Sequence, residues 1–280
     1  MHRSRGLTRV ATSVLLAGIA AVFAFPLLYL ISTSLKTKAD LFAPVPTLLP
    51  PSPTIQAYVS VLATRGFSGL LLNSVIVGVS ATVVSILVAF AICYPITRLP
   101  VSRRLRGFVL SWALSLRFLP PVAVVIPYFA IVRAIGLYNQ LPALILVYTI
   151  FNLPLAIWML RGFLDEIPVE IEEAALVDGA SRWYAFRTIL LPLSRTGILA
   201  VAIIVFAFDW AEFLFAFILT ATPHAMTFPV GVQGLVTQFE IIWNDMAAGG
   251  VIAIAIPLTL MLLARRHVMR GLTFGVIREK

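Results

Sequence analysis

Three ionisable side chains, Arg117, Asp209 and Glu212, fall inside long apolar stretches, with Trp210 between the two acids. A charge in such surroundings costs on the order of 2.5 to 3.5 kcal/mol by insertion scales unless it is paired or faces water. These residue types allow three kinds of chemistry: an ion pair between the guanidinium and a carboxylate, direct contact with a polar solute, or a proton relay through the acids. At a helical rise of about 1.5 Å per residue, Arg117 lies about 15 Å, Asp209 about 18 Å and Glu212 about 22 Å from the same end of their stretches. The near-equal depths predict that one of the two carboxylates neutralises Arg117 or lines a polar passage.

Other chemistries lack their residues. A phosphate-binding loop needs a glycine-rich turn ending in Lys-Ser/Thr, but the lysines are Lys36, Lys38 and Lys280 and none follows a glycine. His2, His224 and His267 show no metal-ligand spacing, and the single Cys93 has no disulfide partner. No catalytic residue, cofactor site or metal site is therefore expected in this chain. A net charge of +9 would suit nucleic acid, yet the basic residues bracket apolar stretches and form no continuous stripe.

The elements that must position these groups are membrane helices. A chain of 280 residues that is 60% apolar and only 12% charged is not an ordinary soluble domain. Spans are expected over about 10–31, 70–96, 107–132, 141–160, 197–220 and 246–264, each close to the roughly 20 residues that cross a bilayer. Of the 21 basic residues, 16 fall in the tails and in the second and fourth loops, from Arg3 to Lys280. By the preference of Lys and Arg for the cytoplasmic side, both termini are cytoplasmic. The first span has the charged start of a signal peptide but runs on through Leu27 to Leu30, so it is read as retained. The expected fold is all-α, one transmembrane domain over 1–280. Outside the membrane, prolines at 44, 46, 50, 51 and 53 indicate an extended strap, followed by an amphipathic turn with Ile55, Tyr58, Val59 and Leu62 at helical spacing. No internal repeat of the kind found in inverted-repeat transporters is visible.

The loop over 161–196 differs in kind, holding half of the 12 acidic residues. Pro168 suits a first helical position, and Glu170, Glu172 and Glu173 suit a first turn, where the helix dipole favours negative charge. Ile171, Ala174 and Ala175 share a face, Gly179 permits a turn, and a second helix through Trp183, Phe186 and Ile189 should end at Pro192. The residues alone leave two readings: an amphipathic helix resting on lipid headgroups, or a small-residue face for a groove on another protein.

The loop resembles the signature of ABC importer permeases: Glu173-Ala174-Ala175, three residues, Gly179, nine residues, Ile189, one residue, then Leu191-Pro192. The rest of the chain is similar to the carbohydrate-uptake branch of that family at Asn73-Ser74, Pro120-Pro121, Gly136-Leu137, Trp210 to Leu214 and Arg270 to Thr273. The resemblance implies that Glu173, Ala174, Ala175, Asp178, Gly179, Ile189, Leu191 and Pro192 couple to a separate ATPase. ATP and Mg would then be held on that partner. It further implies a second homologous permease subunit, two ATP-binding cassette subunits, and an extracytoplasmic solute-binding protein reached by Gln233, Gln238, Glu240 and Asn244. The setting would be the cytoplasmic membrane of a bacterium or archaeon, and the cargo a sugar or polyol. Ala211 stands where relatives usually carry Asn, and Asp209 matches no position of the family. The rival expectation is a proton-coupled secondary transporter working through Arg117, Asp209 and Glu212.

Overall fold

The structure, a computed structural model, describes residues 2–237 and 240–273. Its helices are α1 (His2–Ser34), α2 (Lys38–Leu41), α3 (Gln56–Val59), α4 (Phe67–Arg98), α5 (Arg103–Arg117), α6 (Pro121–Ala134), α7 (Leu141–Asp165), α8 (Glu170–Val177), α9 (Arg182–Ala185), α10 (Leu191–Ala211), α11 (Leu214–Leu219), α12 (Phe228–Gln233) and α13 (Trp243–Thr273). Among the described residues the only β pairing is an isolated antiparallel bridge between Val236 and Ile241. Among the described residues five helical segments are long and apolar enough to cross a bilayer: 12–34 of α1, α4, α7, the run from Arg182 to Ala211, and 243–263 of α13. The all-α membrane architecture expected from the composition is the one that forms.

Two of the expected spans are not single helices. The stretch over 107–132 is the pair α5 and α6, bent by 100°. The cause is local: a residue preceding proline is driven out of the α region, and Leu119-Pro120-Pro121 applies that restriction twice, leaving Pro120 extended at φ −64°, ψ 134°. The stretch over 197–220 breaks after Ala211, where Glu212 is extended at φ −68°, ψ 129° before α11 begins.

The acidic-alanine loop departs from expectation in a second way. Its second helix does not end at Pro192 but continues without interruption from Arg182 to Ala211. A π-helical turn over Phe186–Leu190 makes this possible. Proline lacks an amide donor and its ring presses on the carbonyl four residues back, and a wider turn just upstream relieves that crowding. Pro168 likewise sits ahead of α8, its carbonyl accepting from the Ile171 amide at 3.4 Å, instead of occupying the first helical position.

The chain divides into two compact units, residues 1–68 with 231–255 and residues 69–230 with those from 256. In the first, the proline strap is tied down by side chains of the end of α1. Ser32 donates to the Leu48 carbonyl, and the buried Lys36 ammonium donates to that of Thr47. The amphipathic turn buries Ala57 and Val61, while Ile55 and Val59 of the expected face point outward. Its π-turn Ser60–Thr64 brings Ser60 and Arg65 to the buried Asp245 carboxylate at 2.7 and 2.9 Å. The second unit holds two apolar clusters. One centres on Val77, Leu144, Val147, Tyr148, Phe215 and Leu219, the other on Phe90, Ile157, Leu160, Leu190, Val201 and Val205. Cys93 belongs to the latter as a packing residue whose thiol donates to the Ile157 carbonyl at 3.2 Å.

Helices α7 and α10 approach closely at Gly197, where an added Cβ would stand 2.5 Å from Cγ of Phe163. Gly197→Ala is therefore expected to destabilise the detergent-solubilised protein by about 1–3 kcal/mol. Gly162→Ala, whose Cβ would meet nothing within 4 Å, should leave the unfolding temperature unchanged or raise it; equal effects of the two substitutions would contradict the close approach.

Candidate functional site

The acidic-alanine loop is built from the end of α7, the short α8, a turn, and the start of the Arg182–Ala211 helix. Glu170, Glu172 and Glu173 occupy the first turn of α8, where they complement the positive end of the helix. The C-terminus closes in a Schellman arrangement. The Ala180 amide donates to the Ala175 carbonyl at 2.9 Å and the Gly179 amide to that of Leu176 at 3.1 Å. Gly179 takes φ 89°, a left-handed conformation that side chains disfavour, and the space around its missing Cβ is open. The backbone, not packing, requires glycine here. Ser181 then caps the next helix, accepting from the Tyr184 amide at 3.2 Å.

The helix has two unlike faces. Glu172 is buried and Ala175 and Leu176 are half-buried, whereas Ile171, Ala174 and Val177 lie outward at helical spacing, Val177 being 87% exposed. Glu173 and Asp178 are also exposed. Beside them Trp183 and Tyr184 are 67% and 54% exposed. An apolar ridge left in the open at helical spacing suits a covering partner, either a groove on another protein or lipid headgroups. Ile189, Leu191 and Pro192 are placed apart from this ridge, in the π-turn and the first turn of α10.

Sequence reasoning missed the residue that fixes α8 in place. Arg98, the last residue of α4, lies with its Nε 2.6 Å from Oε1 of Glu172, and both side chains are almost fully buried. The same guanidinium donates to the carbonyls of Leu164 and Ile167, at 2.8 and 2.9 Å, at the end of α7. One side chain thus closes three elements. The only sequence signal was an arginine ending one span and an extra acid ahead of the Glu-Ala-Ala run.

The intramembrane charges are arranged otherwise than expected. Arg117 makes no ion pair among the described residues; its guanidinium stacks over the Phe208 ring at 4.8 Å to the centroid. The 100° bend makes Arg117 the last residue of α5, so the depth reckoned along a straight span does not apply. Asp209 is buried and held by neutral donors, Thr82 of α4 at 3.0 Å and Asn152 of α7 at 2.6 Å. Glu212 accepts from the Phe215 and Ala216 amides at 2.9 and 3.2 Å, capping α11. Trp210 is buried and stacked on Phe206, with centroids 5.7 Å apart. Each acid has a structural occupation, and no relay linking Arg117, Asp209 and Glu212 is assembled.

The external loop candidates are scattered. Gln233 is exposed at the end of α12, Asn244 is half-buried in α13, and Glu240 pairs with Lys38 at 2.8 Å on an exposed surface. Gln238 lies outside the described residues, as do the tail residues Arg278 and Lys280. Two asparagines not singled out for a role organise the loop's beginning. Asn73 donates to the carbonyls of Pro223, His224 and Met226 at 2.9–3.2 Å. Asn139, at φ 59°, accepts from the amides of Ala221 and Thr222 at 2.9 and 3.1 Å.

Comparison with known proteins places these features in a family setting. Residues 81–274 match the family described as binding-protein-dependent transport system inner membrane component. The trehalose transport system permease protein SugB of Mycobacterium tuberculosis is 37% identical over 258 residues, covering 90% of this chain and 92% of that protein. The trehalose/maltose transport system permease protein MalG of Thermococcus litoralis is 33% identical over 272 residues, with 93% of each covered. Among solved structures, a chain of a bacterial ABC transporter involved in import of the acidic polysaccharide alginate superposes with a TM-score of 0.76. It covers 94% of this chain and 97% of its own, at 20% identity, a likeness of fold.

The Asp209 arrangement can be tested directly. Replacing Asp209 with Leu leaves the Thr82 and Asn152 donors buried without their acceptor, and should destabilise the protein by about 1–3 kcal/mol. Thermal unfolding in detergent reads the effect, and an unchanged midpoint would exclude the network.

Proposed function

The chain belongs to the binding-protein-dependent transport system inner membrane component family, and from that premise we propose that it imports a sugar or polyol on power drawn from a separate ATPase. The observation that carries this reading is α8, whose outward ridge of Ile171, Ala174 and Val177 ends in a left-handed turn that only Gly179 accommodates without strain. A groove on an ATPase subunit would receive that ridge, with Glu173 and Asp178 at its margin. Closure of the ATPase pair would then move α8 as a rigid body and swing the helices continuous with it. Ile189, Leu191 and Pro192 carry the motion into α10, because the π-turn keeps the chain helical from Arg182 through Ala211.

The remaining parts of the assembly follow from the same premise. A second homologous permease would line the passage opposite this chain, two ATPase subunits would bind ATP and Mg, and an extracytoplasmic binding protein would deliver solute to the loop around Gln233, Gln238, Glu240 and Asn244. Both termini and α8 would be cytoplasmic, as the distribution of arginines indicates. The trehalose and maltose permeases among the relatives support a carbohydrate cargo.

Reconstituted with its partner subunits in proteoliposomes, the chain is expected to support ATP-dependent uptake that survives a protonophore; uptake driven by a proton gradient without ATP would overturn the reading. Assaying trehalose, maltose and sugar alcohols for stimulation of ATP hydrolysis identifies the cargo. Gly179→Asp should leave the complex able to assemble yet lower uptake per ATP hydrolysed by about tenfold. Normal uptake by a normally assembled Gly179→Asp complex would remove α8 as the coupling element.

A further inference from the structure

Among the described residues, neither apolar cluster includes a residue of α8. Between α8 and the end of α4 lies a cavity of about 360 Å³ whose lining includes Tyr94, Thr97 and Arg98 on one side and Glu172, Glu173 and Leu176 on the other. The contacts of α8 with neighbouring helices run to α9 and the π-turn, and so to α10. What bridges the two helices is Arg98, the last residue of α4, whose Nε lies 2.6 Å from Oε1 of Glu172 in α8. The same guanidinium holds the Leu164 and Ile167 carbonyls, so the end of α7 is gripped as well. A charged pair that is almost fully buried resists separation, since parting the two leaves each charge desolvated without a partner.

From this geometry we infer that the Arg98–Glu172 pair is a strut, a pair of positioning residues that transmits displacement of α8 to α4 and α7, while packing through α9 transmits it to α10. The inference rests on α8 being the coupling element. It explains why the face of α8 turned away from the exposed ridge carries an acid where an apolar residue would bury more simply. An ion pair between two long side chains can bridge a gap that short aliphatic side chains cannot fill. It also explains how three helices could move together from one short element: α10 is continuous with the loop, and α4 and α7 converge on one guanidinium. Without the strut, α8 would still engage its partner and drive α10, but α4 and α7 would lag.

The test uses the complete transporter in proteoliposomes with Glu172→Gln, which keeps shape and removes charge, and Arg98→Lys, which keeps charge but loses the fork that faces Glu172 and the carbonyls at once. Three quantities are read: co-purification of the subunits, basal ATP hydrolysis, and uptake per ATP hydrolysed in the presence of loaded binding protein. The expected result is co-purification as in the wild type, basal hydrolysis retained, and uptake per ATP reduced about tenfold for Glu172→Gln, with Arg98→Lys intermediate. A purely structural contact would lower assembly and leave the ratio intact. Wild-type ratios in both assembled variants would overturn the strut, as would loss of assembly in both, since the pair would then only shape the docking surface. If the wild-type complex itself shows no ATP-dependent uptake, the importer reading fails instead, and the two failures are told apart by that control.

Discussion

A bilayer offers no water to an unpaired amide or carbonyl, so each backbone break within it must be satisfied by protein. The second unit shows how this chain meets that constraint. After Ala211 the helix opens, and the Glu212 carboxylate supplies acceptors to the amides of Phe215 and Ala216 that α11 leaves without intrahelical partners. Asn139 does the same for the amides of Ala221 and Thr222 just past the end of α11. Where Pro192 removes a donor, the π-turn before it keeps the helix intact. Glu212, which resembles part of a solute path in the sequence, is therefore engaged in holding irregular backbone.

The same economy governs the buried charges. A lone carboxylate in an apolar setting is costly, and pairing it with Arg117 was the simplest remedy on paper. The fold chooses neutral donors instead: Thr82 and Asn152 converge on Asp209 from two other helices, which makes the acid a cross-link among α4, α7 and α10. Arg117 finds an aromatic face, where a cation retains part of its stabilisation without a counter-charge.

The class of the protein was legible because composition and the spacing of apolar runs depend on nothing beyond the local chain. The loop signature was legible for the same reason, and Gly179 adopts the left-handed turn that its type and place after α8 implied. What escaped depended on direction. The bend at Leu119-Pro120-Pro121 was visible as prolines, yet the stretch was counted as one straight span, and the depth of Arg117 inherited that error. Pro192 was taken as a stop because proline usually is one, whereas its compatibility with a continuous helix hinges on a π-turn that no residue type announces. The pairing of Arg98 with Glu172 joins residues far apart in sequence, and periodicity carries no information about which distant side chains meet.

An element that passes motion between two proteins faces opposed demands, since it must be exposed enough to be gripped and attached firmly enough to pull. On the proposed reading, helix α8 divides these demands between its faces. Eight residues are too few to form a stable helix in isolation, so its shape must come from the caps and from what holds its inner side. The Schellman turn at Gly179 and the acids of the first turn fix the helix internally, leaving Ile171, Ala174 and Val177 free outward. On the inner side an apolar bed would merge α8 with α4 and make the loop one more part of the membrane core. A cavity spanned by one buried ion pair gives attachment at a point. On the proposed reading, such a joint would resist pulling along its axis while leaving α8 room to settle into a partner's groove, the mechanical character that coupling requires.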